Sequence, residues 1–284
     1  MKFIKDMFFD IKNGLLKNYS LLVLPVVLSI ILFFYSKDQI KLVLNSPEVN
    51  VKKASFADVW FYLYGGMKPY VPSADNPFQI PVIWIGIFII VSFLVLNYPV
   101  NNMMGIGSHI LVQTGGRGKW WLSKCIWNIT STLIYHFVFI MVLVILCGMF
   151  DYSLNIDLHM EAQERLFDIW GEMKVNEEAD LAVGMIIVPI LISIAINLVQ
   201  MTLSLFIKTV FSFLVISATM LSSVYFLSPV MIGNYAMPLR YNSFIEQGVS
   251  YKCGALVAIA VIFITSIVGL VRFKKYDILN WEEN

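Results

Sequence analysis

Charge is scarce in this sequence. Asp, Glu, Lys and Arg make up 14% of its 284 residues, and apolar residues make up 58%. An ordinary soluble domain carries roughly 25% charged residues. A chain of this size could not hide so much apolar side chain from water, and the mean hydropathy of +0.76 implies a polytopic integral membrane protein. The net charge is only +1, too little for a nucleic-acid binder, so the expected surroundings are a lipid bilayer and not nucleic acid. Cysteine is scarce as well. Cys125 and Cys147 sit at opposite ends of one apolar run and Cys253 near the start of another, which makes neither a disulfide framework nor a metal site. The three histidines, His109, His136 and His159, are scattered. HExxH and GxSxG are absent. Gly115-Gly116-Arg117-Gly118-Lys119 is glycine-rich but is not a phosphate loop, because no strand precedes it and Trp120 stands where Ser or Thr would hold magnesium. No catalytic, cofactor-binding or metal-binding residue is expected, and the chain cannot hydrolyse ATP by itself.

What the sequence does have is long apolar runs. About 20 such residues cross the hydrocarbon core as a helix. Six runs qualify, at about 20–36, 80–100, 125–150, 183–207, 210–227 and 254–271. The expected fold is all-α, one transmembrane domain over 1–284 with six transmembrane helices. Lys208 separates the fourth and fifth runs, so two or three residues join them in a tight hairpin. One set of loops carries eleven basic residues, including Lys2, Lys5, Lys12, Lys17, Arg117, Lys119, Lys124, Lys208 and Arg272, against five acidic ones. The other set carries nine basic and fourteen acidic residues, and 151–182 alone holds nine acidic and two basic. The positive-inside rule then places both termini in the cytoplasm of a multi-pass cell-membrane protein. Phe33-Phe34-Tyr35-Ser36-Lys37 lacks a small-x-small cleavage pattern, so the first run reads as an uncleaved span.

Between the spans, 1–18 places Phe3, Ile4, Met7, Phe8, Ile11 and Leu15 at helical spacing, an amphipathic interface helix. The outer segment 37–79 contains a capping box at Ser55-Phe56-Ala57-Asp58, then Trp60, Phe61, Tyr62 and Tyr64, which predicts a short helix in the outer aromatic belt. In the outer segment 151–182, Leu166, Ile169, Trp170 and Met173 share one helical face and Glu161, Glu164, Asp168 and Glu172 another, predicting an acidic amphipathic helix. The outer segment 228–253 is broken by Pro229, Gly233, Pro238 and Gly248 and reads as a re-entrant hairpin.

No Asp, Glu, Lys or Arg lies within the six runs as drawn, which argues against an ion-coupled transporter and an intramembrane protease. Polar residues form stripes instead: Asn128, Ser131 or Thr132, and Tyr135 in the third run, and Asn197, Gln200 or Met201, and Ser204 in the fourth. Such residues commonly bond helix to helix in bilayers. The other reading is that Asn128, Thr132, Tyr135, Asn197, Gln200 and Ser204 line a translocation path. In the inner loop 101–124, Ser108 can cap a short helix bearing Ile110, Leu111 and Val112, ended by Gly115-Gly116. Trp120-Trp121 then anchor at the interface, and Arg117, Lys119 and Lys124 face the inner headgroups.

The stretch Gln113 to Lys124 (QTGGRGKWWLSK), running straight into the third span, resembles membrane subunits of the ABC-2 exporter family. The layout of the whole chain and the tail Arg272-Phe273-Lys274-Lys275-Tyr276-Asp277 are similar to that family too. The resemblance implies a permease paired with a second membrane subunit as a homodimer, and with two copies of a cytoplasmic ABC ATPase that carries the ATP and magnesium. It implies that 106–114 is a coupling helix fitting a groove on the ATPase, with Ser108, His109, Ile110, Leu111, Val112, Gln113 and Arg117 as coupling residues. The expected function is ATP-driven export of an amphipathic substrate such as a peptide, bacteriocin or toxin. The alternatives are a lipid or drug exporter of the same architecture, a non-transporting membrane scaffold or immunity protein, and a membrane enzyme.

Overall fold

A computed structural model describes residues 7–8, 10–14, 18–47, 49, 51–73, 77–104, 116–169 and 181–276. These residues are all-helical, with only isolated bridges at Ser55/Ser153 and Tyr241/Val249. Five helices are long and apolar enough to cross a membrane. They are α1 (Ser20–Leu44), α3 (Val82–Leu96, continued by α4, Tyr98–Met104), α5 (Arg117–Met149), α7 (Leu181–Leu203) and α9 (Tyr251–Lys274). The fifth apolar run forms α8 (Thr209–Tyr225), whose 17 residues rise about 26 Å at 1.5 Å each, short of a ~30 Å hydrocarbon core. Two short helices, α2 (Phe56–Tyr64) and α6 (Met160–Leu166), and two 3-10 turns (Ile232–Ala236 and Pro238–Arg240) complete the described fold.

Helix α7 is the hub. It packs against α9 along its length and also against α5, α8 and α3, while α1 lies along α5. This division follows side-chain type. The α7 face bearing Ser193, Asn197 and Gln200 is buried, whereas α9 leaves Leu256, Ile259, Phe263, Ile264, Ile267 and Val271 exposed, an apolar surface suited to lipid.

Four expectations differ from what is seen. The helix in the third run begins at Arg117, eight residues before Cys125, so Lys124 lies inside it. The α7–α8 junction is five residues, 204–208, because the end of α7 tightens into i to i−3 bonds such as Leu205 N–H to the Thr202 carbonyl, 3.1 Å. The acidic helix stops at Leu166. Asp168 takes a left-handed φ of 52°, and Ile169 folds back with its N–H on the Glu164 carbonyl, 2.9 Å. Trp170, Glu172 and Met173 lie outside the described residues. Finally, α2 is no belt helix. Its capping box forms as read, with Ser55 Oγ accepting from Asp58 N–H at 3.1 Å, but Trp60, Phe61 and Tyr64 are at most 1% exposed. Protein covers its aromatic residues, and its one charged side chain, Asp58, is buried against His159 and Gln163. Trp60 stacks on Tyr64 at 3.8 Å and donates Nε1–H to the Met185 carbonyl of α7 at 3.0 Å.

The segment 228–253 is broken into two 3-10 turns, and its stretch 233–241 is buried in protein. Its centre is Arg240, with no exposed surface. All five guanidinium donors are used: Nε to Met67 O (3.0 Å), Nη1 to Ser223 O (2.6 Å) and Asn234 Oδ1, and Nη2 to Val224 O (2.6 Å) and Lys68 O (3.4 Å). Ser223 and Val224 are last-turn carbonyls of α8, where a cation also meets the negative end of the helix dipole. Burial pulls the Arg240 guanidinium down to about 10, still charged at neutral pH.

Candidate functional site

Two polar assemblies stand out against the apolar bundle. The first joins α3, α5 and α7. Ser92 Oγ donates to Asn197 Oδ1 at 2.6 Å, and Asn197 Nδ2 donates to Thr132 Oγ1 at 3.0 Å. Thr132 Oγ1 donates to the Asn128 carbonyl at 2.9 Å, and Asn128 Nδ2 reaches the Asn197 carbonyl at 3.5 Å. Gln200 Nε2 donates to the Ser92 carbonyl at 2.9 Å. A side branch runs from Tyr135 O–H to the Ile87 carbonyl, 3.1 Å. All of these side chains are at most 1% exposed. Asn128 and Thr132 of one stripe thus meet Asn197 of the other, and Ser92 of α3, which carried no signal in the sequence, joins them with Gln200. Asn128 Oδ1, Gln200 Oε1, Ser131 Oγ, Ser193 Oγ and His136 Nε2 are buried without a partner among the described residues. An open donor or acceptor in a dry interior costs about 1–3 kcal/mol, so this belt holds unspent hydrogen-bonding capacity. Ser204 stands apart. Its Oγ donates to the Met201 carbonyl at 2.7 Å, and it lines an open cavity of about 590 Å³ with Lys208 and Arg272 at the basic end.

The second assembly clamps that basic end. Asp10, on the helical stretch 10–14, is 4% exposed. It accepts from Lys124 Nζ and from Ser123 Oγ, both at 2.5 Å, and from Tyr98 O–H at 3.3 Å. Lys124 is itself 1% exposed and lies 4.9 Å from the Trp120 ring. Gly14 permits the approach, because a Cβ there would fall 2.0 Å from Trp127 Nε1. Next to it, Trp120 stacks on Phe273 at 4.6 Å, and Trp121 Nε1–H donates to Ser266 O at 3.0 Å. Gly269 makes room for Trp121, whose Cζ2 would meet a Cβ at 2.0 Å. Arg117 donates Nη1 to the carbonyls of Lys274 (3.0 Å) and Tyr276 (2.8 Å), satisfying the end of α9. The start of α5 is thus fastened to the amino-terminal segment on one side and to α9 on the other. From sequence alone, Trp120 and Trp121 are expected at the membrane interface and Lys124 at the headgroups. They are largely buried in protein instead, because each finds a polar or ring partner that the bilayer surface would offer only transiently.

Of the predicted coupling residues, Arg117 is described and holds α9. Ser108, His109, Ile110, Leu111, Val112 and Gln113 lie outside the described residues. Among the described residues, no group of His, Cys, Asp or Glu could hold a metal ion. No protein-family profile, curated protein or solved structure matches the chain.

Proposed function

We propose that this chain is the membrane-spanning permease subunit of an ATP-driven exporter, acting with a separate cytoplasmic ABC ATPase and a second, identical membrane subunit. In this reading α8, extended by the chain that follows it, is a sixth span, and both termini are cytoplasmic. The cargo is an amphipathic molecule, a peptide, bacteriocin or toxin. The observation that carries the reading is the clamp at the start of α5. The segment 106–114 leads within a few residues into a helix tied to the amino-terminal segment by the Asp10–Lys124 pair and to α9 by Arg117 and Trp121. A push on that segment would move three elements together instead of bending one loop, which a lever requires. The unspent polar belt of α5 and α7 gives the moving helices neutral groups to present to a passing cargo. An ATPase shifts such a membrane protein between states only by binding one of them more tightly.

Leu111→Asp tests this reading. It places a charge on the apolar face of the coupling segment without touching any described contact. Export is expected to fall to background while ATP hydrolysis persists and the melting temperature stays at the parent value. Normal export by this variant would refute the coupling assignment.

A further inference from the structure

Four lysines converge on one open cavity of about 640 Å³ at the far ends of α1 and α5. Lys37 and Lys41 come from the last turns of α1, Lys52 and Lys53 from the loop that follows, and Phe150, Asp151 and Tyr152 close the wall after α5. The one carboxylate among these lining residues is Asp151, paired with Lys53 at 2.7 Å. Four positive charges against one negative leave +3. Asp151 reaches Lys53 from a left-handed backbone, φ 64°, which a non-glycine residue adopts only against a steric penalty.

Such crowding needs a reason. Lys37 and Lys41 are one helical turn apart, where like charges repel. Lys37 is partly offset by the Phe150 ring, 3.8 Å away. Lys41 is partly offset by the negative end of the α1 dipole, being in its last turn. No comparable compensation meets Lys52 among the described residues. Asp38 is exposed on α1 and is not on the cavity wall. The crowding also falls in outer segments where acidic residues outnumber basic ones.

We propose that this cavity binds an anion carrying at least two phosphate charges. Ammonium groups suit phosphate as point charges from several directions, and the volume lies in the range of small-molecule sites, roughly 300–1,000 Å³. The apolar run of α1 ends at Ser36 and Lys37 follows at once, so the cavity opens at the level of lipid headgroups. A lipid headgroup with two phosphodiesters and a soluble diphosphate share this chemistry. The site requires no ATPase partner and stands apart from the export reading.

The test uses the full chain in two arms. In phosphatidylcholine nanodiscs, inorganic pyrophosphate is titrated by thermophoresis. In nanodiscs of phosphatidylcholine with cardiolipin, retained cardiolipin is counted by native mass spectrometry. The parent is compared with Lys41→Gln, Lys52→Gln and the double variant. Lys41 and Lys52 are exposed and outside the core, and unchanged melting confirms folding. Saturable binding is expected in at least one arm, weakened about fivefold per lysine and about 25-fold in the double variant. Pyrophosphate binding alone assigns a soluble ligand, and cardiolipin retention alone assigns a lipid. Binding in neither arm, or equal binding by parent and double variant, overturns the site.

Discussion

Replacing Asp10 by Ala removes the carboxylate from the clamp and leaves Lys124 in place. Lys124 is 1% exposed and its ammonium lies 2.5 Å from Asp10 Oδ1. Ser123 Oγ, on the other oxygen, loses its acceptor as well. Stripping one partner from a buried ion pair costs about 3–5 kcal/mol, because the remaining charge loses its close counter-ion where water cannot replace it. The rings of Trp120 and Tyr98, 4.9 and 5.3 Å from Nζ, offset part of that loss. What fails is local. The segment 10–14 is held mainly by this carboxylate, by the Tyr98 hydroxyl and by packing on Trp127, so it undocks while the spans stay folded. At about 1.4 kcal/mol per factor of ten, the open population of the segment rises about 100- to 1,000-fold. Hydrogen exchange of the amides around residues 10–14 reads this directly in detergent or nanodiscs. Asp10→Leu with Lys124→Met removes both charges and is expected to recover most of the protection, since an apolar pair of similar volume replaces a buried ion pair at little cost. Unchanged exchange in Asp10→Ala would refute the clamp. Equal exchange in the single and double variants would refute its electrostatic origin.

Asn197→Leu removes the bonds from Ser92 Oγ and to Thr132 Oγ1. At about 0.6–1.7 kcal/mol per interhelical bond in a bilayer, the loss is about 1–3 kcal/mol, read by thermal melting. If the belt meets cargo, export is expected to fall by far more than that loss of stability accounts for, and a matched fall in both would make the belt purely structural. Arg240→Lys offers three donors where five are used, leaving some of the Met67, Lys68, Ser223, Val224 and Asn234 oxygens unpaired. It is expected to cost about 2–4 kcal/mol, with proteolysis appearing first in 226–250. A parent-like protease pattern would contradict the knot drawn around Arg240.

How far the sequence could be read depended on how local each signal was. Apolar runs, the Ser55–Asp58 capping box and the polar stripes at helical spacing are short-range patterns, and the helices, the cap and the α5–α7 bonds follow them. The Asp10–Lys124 pair spans 114 residues, and no periodicity links an acid in the first helical stretch to a lysine just before an apolar run. Drawing the third span from hydropathy put its start at Cys125 and hid Lys124, although the helix needs only backbone bonds and begins at Arg117. The aromatic cluster of α2 was ambiguous for a different reason. Trp and Tyr suit a membrane belt and a packed core equally, and only the Trp60 bond to Met185 and the Tyr64–His136 contact at 2.8 Å decide for the core. Arg240 carried no signal at all, because its partners are backbone carbonyls and one amide, which no residue pattern announces.

An ATPase partner is what separates an exporter permease from other polytopic membrane proteins, and purification reveals it. The tagged chain is drawn from its own membranes in mild detergent, its companions are identified by mass spectrometry, and the eluate is assayed for vanadate-sensitive ATP hydrolysis. The proposed function predicts a P-loop ATPase at one copy per membrane subunit, with activity that vanadate abolishes. An intact, folded protein that brings down no ATPase and shows no such activity would contradict it.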